Sequence, residues 1–208
     1  MEFMYKWHES VMPVWDDIFE HMDGMGHPLR DYLEVGSFDG ASACHAIAEI
    51  GKRGGTVTCV DPWDPDYPST IGEDTSRDFD MRAVLKRFRA NTEQARNEAT
   101  NFVGVNVHDV KSEIALSELV SNMDMFDFIY IDGSHHAADV LLDGLMAWKL
   151  LRPGGVMVFD DYLWATGGKY NPLECPKYAV DTFVTLHMDQ LLMLPYRTRQ
   201  VYLMKRIG

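Results

Sequence analysis

The chain has 208 residues, 46% of them hydrophobic and 25% charged, which suits one globular domain with or without an N-terminal extension. A net charge of −13 repels phosphate backbones and argues against a nucleic-acid partner, and no apolar run is long enough for a membrane span. Three dispersed cysteines (Cys44, Cys59 and Cys175) lack any CxxC pairing, and the N-terminus carries Glu2, Lys6, His8 and Glu9; these features argue against a disulfide framework, a zinc site or a secretory signal and make the cytoplasm the expected location.

Val11, Val14, Trp15, Ile18 and Met22 recur at helical spacing, with Ser10 as the expected cap and Pro13 in the first turn; Gly24, Gly26 and Pro28 end that helix. Residues 32–35 read as a strand closing on Gly36, 41–50 as a helix stopping at Gly51, and 56–60 as a strand ending at Asp61 and Pro62. The stretch 62–78 reads as a loop. Met81, Val84, Leu85 and Phe88 form a helical stripe with Arg82, Lys86, Arg87 and Arg89 on its wet side. A strand over 102–107, a short helix marked by Ile114, Leu116 and Leu119, and a buried strand over 126–131 follow. Ala137, Leu141, Leu145 and Trp148 make another helical stripe, and Pro153, Gly154 and Gly155 are expected to turn the chain into a strand over 156–159. Residues 163–176 read as a loop, Val180, Phe183, Val184 and His187 as a last helix, and 191–194 with 201–204 as a closing antiparallel pair. Strands alternating with helices predict an α/β fold with a mostly parallel sheet covered on both faces. Ligands in such sheets sit beyond the carboxyl ends of the strands.

The strand ends carry the chemistry. After the first strand, Gly36 and Gly40 mark a turn that is either simply tight or built for close approach of a ligand, and Glu34 beside it suits a cationic amino group better than a pyrophosphate. Asp61 stands where a carboxylate accepts ribose hydroxyls, which NAD and S-adenosylmethionine both supply. Trp63 is placed either against a purine face or as a packed loop aromatic. After the third strand come His108, Asp109 and Val110, an adenine border or a surface loop. Asp132 ends the fourth strand and Asp160 with Asp161 the fifth, so three carboxylates gather at one edge. Such a cluster wants a proton or a hard cation such as magnesium; the alternative is helix capping by Asp132 beside a solvated acidic pair. His135 and His136 open a helix, as candidates for a general base or as capping residues.

The segments LEVGSFDGASA, TCVDPW and FDFIYIDGSHHAADVLLDGLMAWKLLRPGGVMVFDDYLW resemble the class I S-adenosylmethionine-dependent methyltransferases. More narrowly, the chain resembles the bacterial subgroup related to macrocin-type O-methyltransferases and cephalosporin-hydroxylase-like proteins, with the early YKWHESVMPVW as its N-terminal entry. The resemblance implies a Rossmann-like sandwich of seven strands with the last antiparallel. It implies that Glu34, Gly36, Ser37 and Gly40 surround the methionine part of the cofactor, that Asp61 holds the ribose, and that Trp63, Asp109 and Val110 border the adenine. It implies that Asp132, Asp160 and Asp161 match the metal-binding acids of the macrocin-type enzymes, with Asp132 also beside the cofactor and magnesium as the expected ion. Ser134 stands where some metal-dependent relatives carry a second acid. His135, with Asp132 and Asp160, is the expected catalytic set. Residues 1–28 are then a helical extension and lid, and 29–208 the S-adenosylmethionine-binding domain. The expected reaction is O-methylation of a small sugar, polyol or phenol. Tyr5, Trp7, Trp164 and Tyr170 are expected to give aromatic surface to a lid formed by the N-terminal helix and 163–176. The alternatives are a non-catalytic cofactor-binding protein, an NAD-dependent oxidoreductase and a hydroxylase; the absence of GxGxxG argues against the second, and the lack of a two-His-one-carboxylate triad against the third. The oligomeric state stays open, a homo-oligomer included.

Overall fold

The apolar runs become strands of one sheet, and the amphipathic runs become the helices that cover it. The computed structural model describes residues 1–64, 80–164 and 171–208. The order is α1 (Met12–Gly24), β1 (Asp31–Val35), α2 (Ala41–Ile50), β2 (Gly55–Val60), α3 (Met81–Glu98), β3 (Val103–His108), α4 (Ser112–Asn122), β4 (Phe126–Ile131), α5 (Ala137–Leu150), β5 (Leu151–Phe159), α6 (Pro176–Leu186), β6 (Leu191–Met193) and β7 (Val201–Lys205), with short 3-10 turns at Trp7–Ser10 and Pro172–Glu174. Most of the expected loop at 62–78, and residues 165–170 of the one at 163–176, Tyr170 included, lie outside the described residues; the rest of the second loop holds the 3-10 turn and runs into α6 at Pro176.

The sheet runs β3-β2-β1-β4-β5-β7-β6. Strands β1 to β5 are parallel, and β7 runs antiparallel to both its neighbours, as the resemblance implies. The chain winds outward from β1 to β3 and then returns to lay β4 on the other side of β1. That reversal makes the β1–β4 junction the switch point at which such sheets open a crevice.

Each face has its own core. On one, α1 packs Trp15 against Phe128 and Tyr130, with ring centroids 5.0 and 4.8 Å apart. On the other, α5 and α6 bury Trp148 and Phe183 beside Phe159. Trp15, Ile18, Phe19 and Met22 are all buried, and each contributes roughly 1.5–3 kcal/mol by leaving water. Helix α1 therefore packs as a core helix. Ser10 does not cap it. The 3-10 turn runs straight into the helix, Val11 N–H donates to the His8 carbonyl, and the Ser10 hydroxyl turns back to Trp7 O.

The turn expected at Pro153–Gly155 is a bulge inside a longer strand. Arg152 bridges Asp31 and Asp127 at 2.9 and 2.8 Å, which docks the chain onto the sheet early. The register against β4 shifts between Phe126 and Phe128, and at Gly155 a Cβ would come within 2.7 Å of the Asp127 carbonyl. Among the described residues, no helix is long and apolar enough to cross a membrane.

Candidate active site

A cavity of about 700 Å³ opens at the carboxyl ends of the parallel strands, lined from β1, β2 and β4, the start of α4, and the first residues of the chain. Its volume is in the range of a cofactor-sized site.

At its β1–β2 end, the Asp61 carboxylate accepts the backbone N–H groups of Ser37 (3.0 Å), Phe38 (2.9 Å) and Trp63 (2.8 Å). Oδ1 takes one of these three bonds and keeps a lone pair for a ligand hydroxyl. Asp61 is thus also the pin of the glycine turn, which its position on the sequence did not reveal. Gly36 has φ +89, and a Cβ there would lie 2.1 Å from the Asp132 carbonyl oxygen. Its missing side chain lets the β1 and β4 turns touch, rather than serving only a ligand. Gly40 stands at the N-cap position of α2 in the left-handed region and brings no side-chain cap bond, and the first residues of that helix, Ala41 and Ser42, reach the lining. Ser37 Oγ is buried beside them, with no partner within hydrogen-bond geometry among the described residues.

Other expected contacts are displaced. Glu34 is wholly buried beneath the turn and does not reach the cavity lining. Its Oε2 accepts Tyr32 and Ser42 hydroxyls, each at 2.8 Å. Burial raises its carboxyl above the usual range. Trp63 lines the cavity, held by its indole N–H on Phe38 O (2.8 Å) and packed on Phe88. Asp109 and Val110 are exposed and lie outside the lining, because the chain swings out before α4; Lys111, Ser112 and Glu113 take their place. Asp143 of α5 joins this floor, buried, with Oδ1 unpartnered among the described residues, and burial pushes its carboxyl up to about 7.

The β4–β5 end is a charge network. Asp160 is buried beneath the lining and accepts from Arg199 Nε (2.8 Å) and Nη2 (3.0 Å), Gln200 Nε2 (2.9 Å), the Asp161 N–H (2.6 Å) and the Tyr130 hydroxyl. Burial alone would raise its carboxyl, but the Arg199 hydrogen bonds and charge, helped by Tyr130 and Gln200, hold it below the ordinary range. Asp132 goes the other way, pushed well up by burial and then by the charges of Asp160 and Asp161. Tyr130 Oη lies between the two carboxyls, 2.7 Å from Asp132 Oδ2. One phenolic proton cannot serve both, so the network closes when Asp132 carries a proton for Tyr130 and Tyr130 donates to Asp160.

His135 Nε2 lies 3.1 Å from Asp161 Oδ2, and its ring stacks on Trp164 at 4.8 Å. Its Nδ1 is buried and has no partner among the described residues. The hydrogen-bond pattern assigns the proton to Nε2 and leaves Nδ1 as an acceptor. His136 is the N-cap position of α5 and makes no side-chain cap bond.

The three carboxylates converge as expected, but they do not form a metal-ligand set. Both oxygens of Asp160 are filled by donors, and among the described residues no group of three or more His, Cys, Asp or Glu is disposed to hold a metal ion. The positive charge that the cluster needs comes from Arg199. Neither Arg199 nor Gln200 nor Tyr130 stands out in the sequence. Tyr130 is two residues before Asp132 on a strand, hence on the same face. The antiparallel register ends with Phe159 opposite Val201, which brings the residues just after β5 beside those just before β7.

The first residues of the chain cover the cavity. Met4 N–H donates to Asp39 (2.6 Å), Asn91 exchanges two hydrogen bonds of 3.0 Å with Glu2, and Arg199 Nη1 donates to Trp7 O (2.8 Å). Tyr5 and Trp7 stack at 4.2 Å, next to Phe38, and all three line the cavity.

A family model described as a methyltransferase domain matches residues 33–162. No curated protein sequence is significantly similar to the chain. Among solved structures, an O-methyltransferase from Bacillus cereus in complex with SAH is 18% identical, with a TM-score of 0.61 over 92% of this chain and 79% of that one. The O-methyltransferase NovP is 18% identical, with a TM-score of 0.64 over 94% and 79%. The O-methyltransferase TomG from Streptomyces achromogenes, in complex with SAM, is 16% identical, with a TM-score of 0.64 over 94% and 80%. At these identities the likeness is one of fold.

Proposed function

The chain belongs to the methyltransferase-domain family, and from that premise we propose that it is an S-adenosylmethionine-dependent O-methyltransferase acting on a small hydroxylated molecule. The observation that carries this reading is His135, its buried Nδ1 without a partner among the described residues, on the wall of a cavity whose other end has the fittings of a nucleoside-bearing amino acid. The unpartnered Ser37 Oγ and the uncapped start of α2 fit the amino-acid part, the Asp61 carboxylate fits the ribose, and Trp63 with 111–113 fits the base. When bound, S-adenosylmethionine supplies a methyl carbon on a sulfonium, which passes to the acceptor oxygen as the sulfur leaves as a neutral thioether.

The chain's own residues do the rest. Asp161 holds the Nε2–H of His135 and keeps the ring in one tautomer. His135 Nδ1 removes the acceptor's hydroxyl proton, which puts charge on the attacking oxygen. The stacked Tyr5 and Trp7, with Phe38 and Trp164, give flat walls suited to a ring-bearing acceptor and keep water from the reaction. Magnesium has no part in these steps, because its expected ligands do not fit it.

Calorimetric titration tests the cofactor assignment. S-adenosylhomocysteine is expected to bind one to one with a Kd on the order of 10 μM, and NAD is expected to give no heat above dilution. Tighter binding of NAD, or no binding of S-adenosylhomocysteine, overturns the reading.

A further inference from the structure

A proton on Asp132 relieves only part of the acid cluster at the ends of β4 and β5, and the Asp160–Asp161 pair still needs a positive charge beside it. That charge is supplied by the chain itself, from the loop that leads into β7. We propose that Arg199 is the resident cation of the acceptor site, a positioning residue that fixes Asp160 and Asp161 so that His135 takes the acceptor proton without a divalent metal.

The case is geometric. Asp160 receives five donors on its two oxygens, two of them from the Arg199 fork at 2.8 and 3.0 Å. A carboxylate offers about four lone-pair sites, so none is left for an incoming cation. The same guanidinium lies 3.3 Å from Asp161 Oδ1, while Asp161 Oδ2 holds His135 at 3.1 Å. A line of contact therefore runs from Arg199 through Asp161 to the base. Asp161 has φ +48, a strained conformation for an aspartate. It is held there by its N–H on Asp160 (2.6 Å) and by its carbonyl, which accepts Trp164 N–H (2.8 Å). The arginine is tied at both ends: Nη1 donates to Trp7 O (2.8 Å), and its own carbonyl accepts Tyr162 N–H (3.0 Å). A planar fork with fixed donors suits this work better than a point charge. Ser134, where a further acid would strengthen a metal site, instead donates to Asp139 (2.8 Å).

Only the activity arm of the test rests on the methyl-transfer reading above. The first arm needs neither cofactor nor acceptor. Millimolar Mn2+ is titrated into the full chain, and free Mn2+ is read by electron paramagnetic resonance. The wild-type chain is expected to bind no stoichiometric ion. One bound Mn2+ that disappears in Asp132→Asn overturns the proposal. In the second arm, methyl transfer is measured in chelator, and wild-type turnover is expected to stay within about twofold. Arg199→Met is expected to lose on the order of 10²-fold in kcat with little change in S-adenosylhomocysteine affinity, and Arg199→Lys to recover part of that loss. Turnover lost in chelator and restored by magnesium overturns the proposal, as does full kcat in Arg199→Met. If Arg199→Met does not fold, Arg199→Lys and the wild-type chelator arm still decide. A chain that binds no S-adenosylhomocysteine overturns the methyl-transfer reading and leaves the Mn2+ arm to judge Arg199 by itself.

Discussion

At the β1–β2 end of the cavity, Asp61 reaches back to the backbone of Ser37 and Phe38 and forward to that of Trp63, so the turn is assembled from one stretch of chain. At the β4–β5 end, Asp160 draws Tyr130 from one strand and Arg199 and Gln200 from near the C-terminus, and Arg199 in turn holds Trp7. The first end is a shape made from N–H groups and a carboxylate. The second is a balance of charges drawn from almost the whole length of the chain. Changes at the first end should alter folding and cofactor binding together. Changes at the second should alter reaction rate and leave cofactor binding largely intact.

Gly36 is where the two ends meet, and it gives the largest expected effect. In Gly36→Ala the new Cβ would clash with the Asp132 carbonyl, at a φ of +89 that alanine resists. Chemical denaturation should show a loss on the order of 4 kcal/mol or a failure to fold. A variant of near wild-type stability would mean that the two turns are not in contact.

Next in size is Asp61→Ala. Three N–H groups lose their acceptor, which should cost roughly 2–3 kcal/mol of stability. S-adenosylhomocysteine affinity should fall by about 1–3 kcal/mol in the same variant from the lost ribose bonds. Loss of stability without loss of affinity would make Asp61 a pin of the turn and nothing more.

How far the sequence discloses each end follows the same division. The strand ends, the parallel order and the residues Gly36, Asp61, Asp132 and His135 lie in short stretches whose pattern is local. Glu34 misleads because its polarity suggests a ligand, whereas Tyr32 and Ser42 satisfy one of its oxygens in the core. Asp109 and Val110 miss by two residues, since the exact exit of the chain from an edge strand is not written in its composition. Arg199 is the harder case. Its partner Asp160 is 39 residues away, and the pairing can be worked out only once β7 is known to lie antiparallel on β5. An acid cluster read without its arginine looks like a metal site.

Asp143 gives the smallest effect, and it concerns the floor of the cofactor end. Its folded-state pKa is raised to about 7 by burial, against about 3.9 in an unfolded chain. The folded state therefore holds this proton more tightly, and stability is lost as pH rises between those values. Below pH 4 the group is protonated in both states and adds no pH dependence. Urea midpoints taken at pH 5 and pH 8.5 should show wild type losing about 1–2 kcal/mol more than Asp143→Asn over that interval, after discounting for relaxation. Parallel pH profiles would mean that water reaches this carboxylate.

The division of labour between the two ends is tested most directly at His135. Methyl transfer to a competent acceptor, read as release of S-adenosylhomocysteine, should fall roughly 10²–10⁴-fold in His135→Ala, while the variant binds S-adenosylhomocysteine within about twofold of wild type. Undiminished transfer in His135→Ala, or an affinity that falls as far as the rate, would contradict the account.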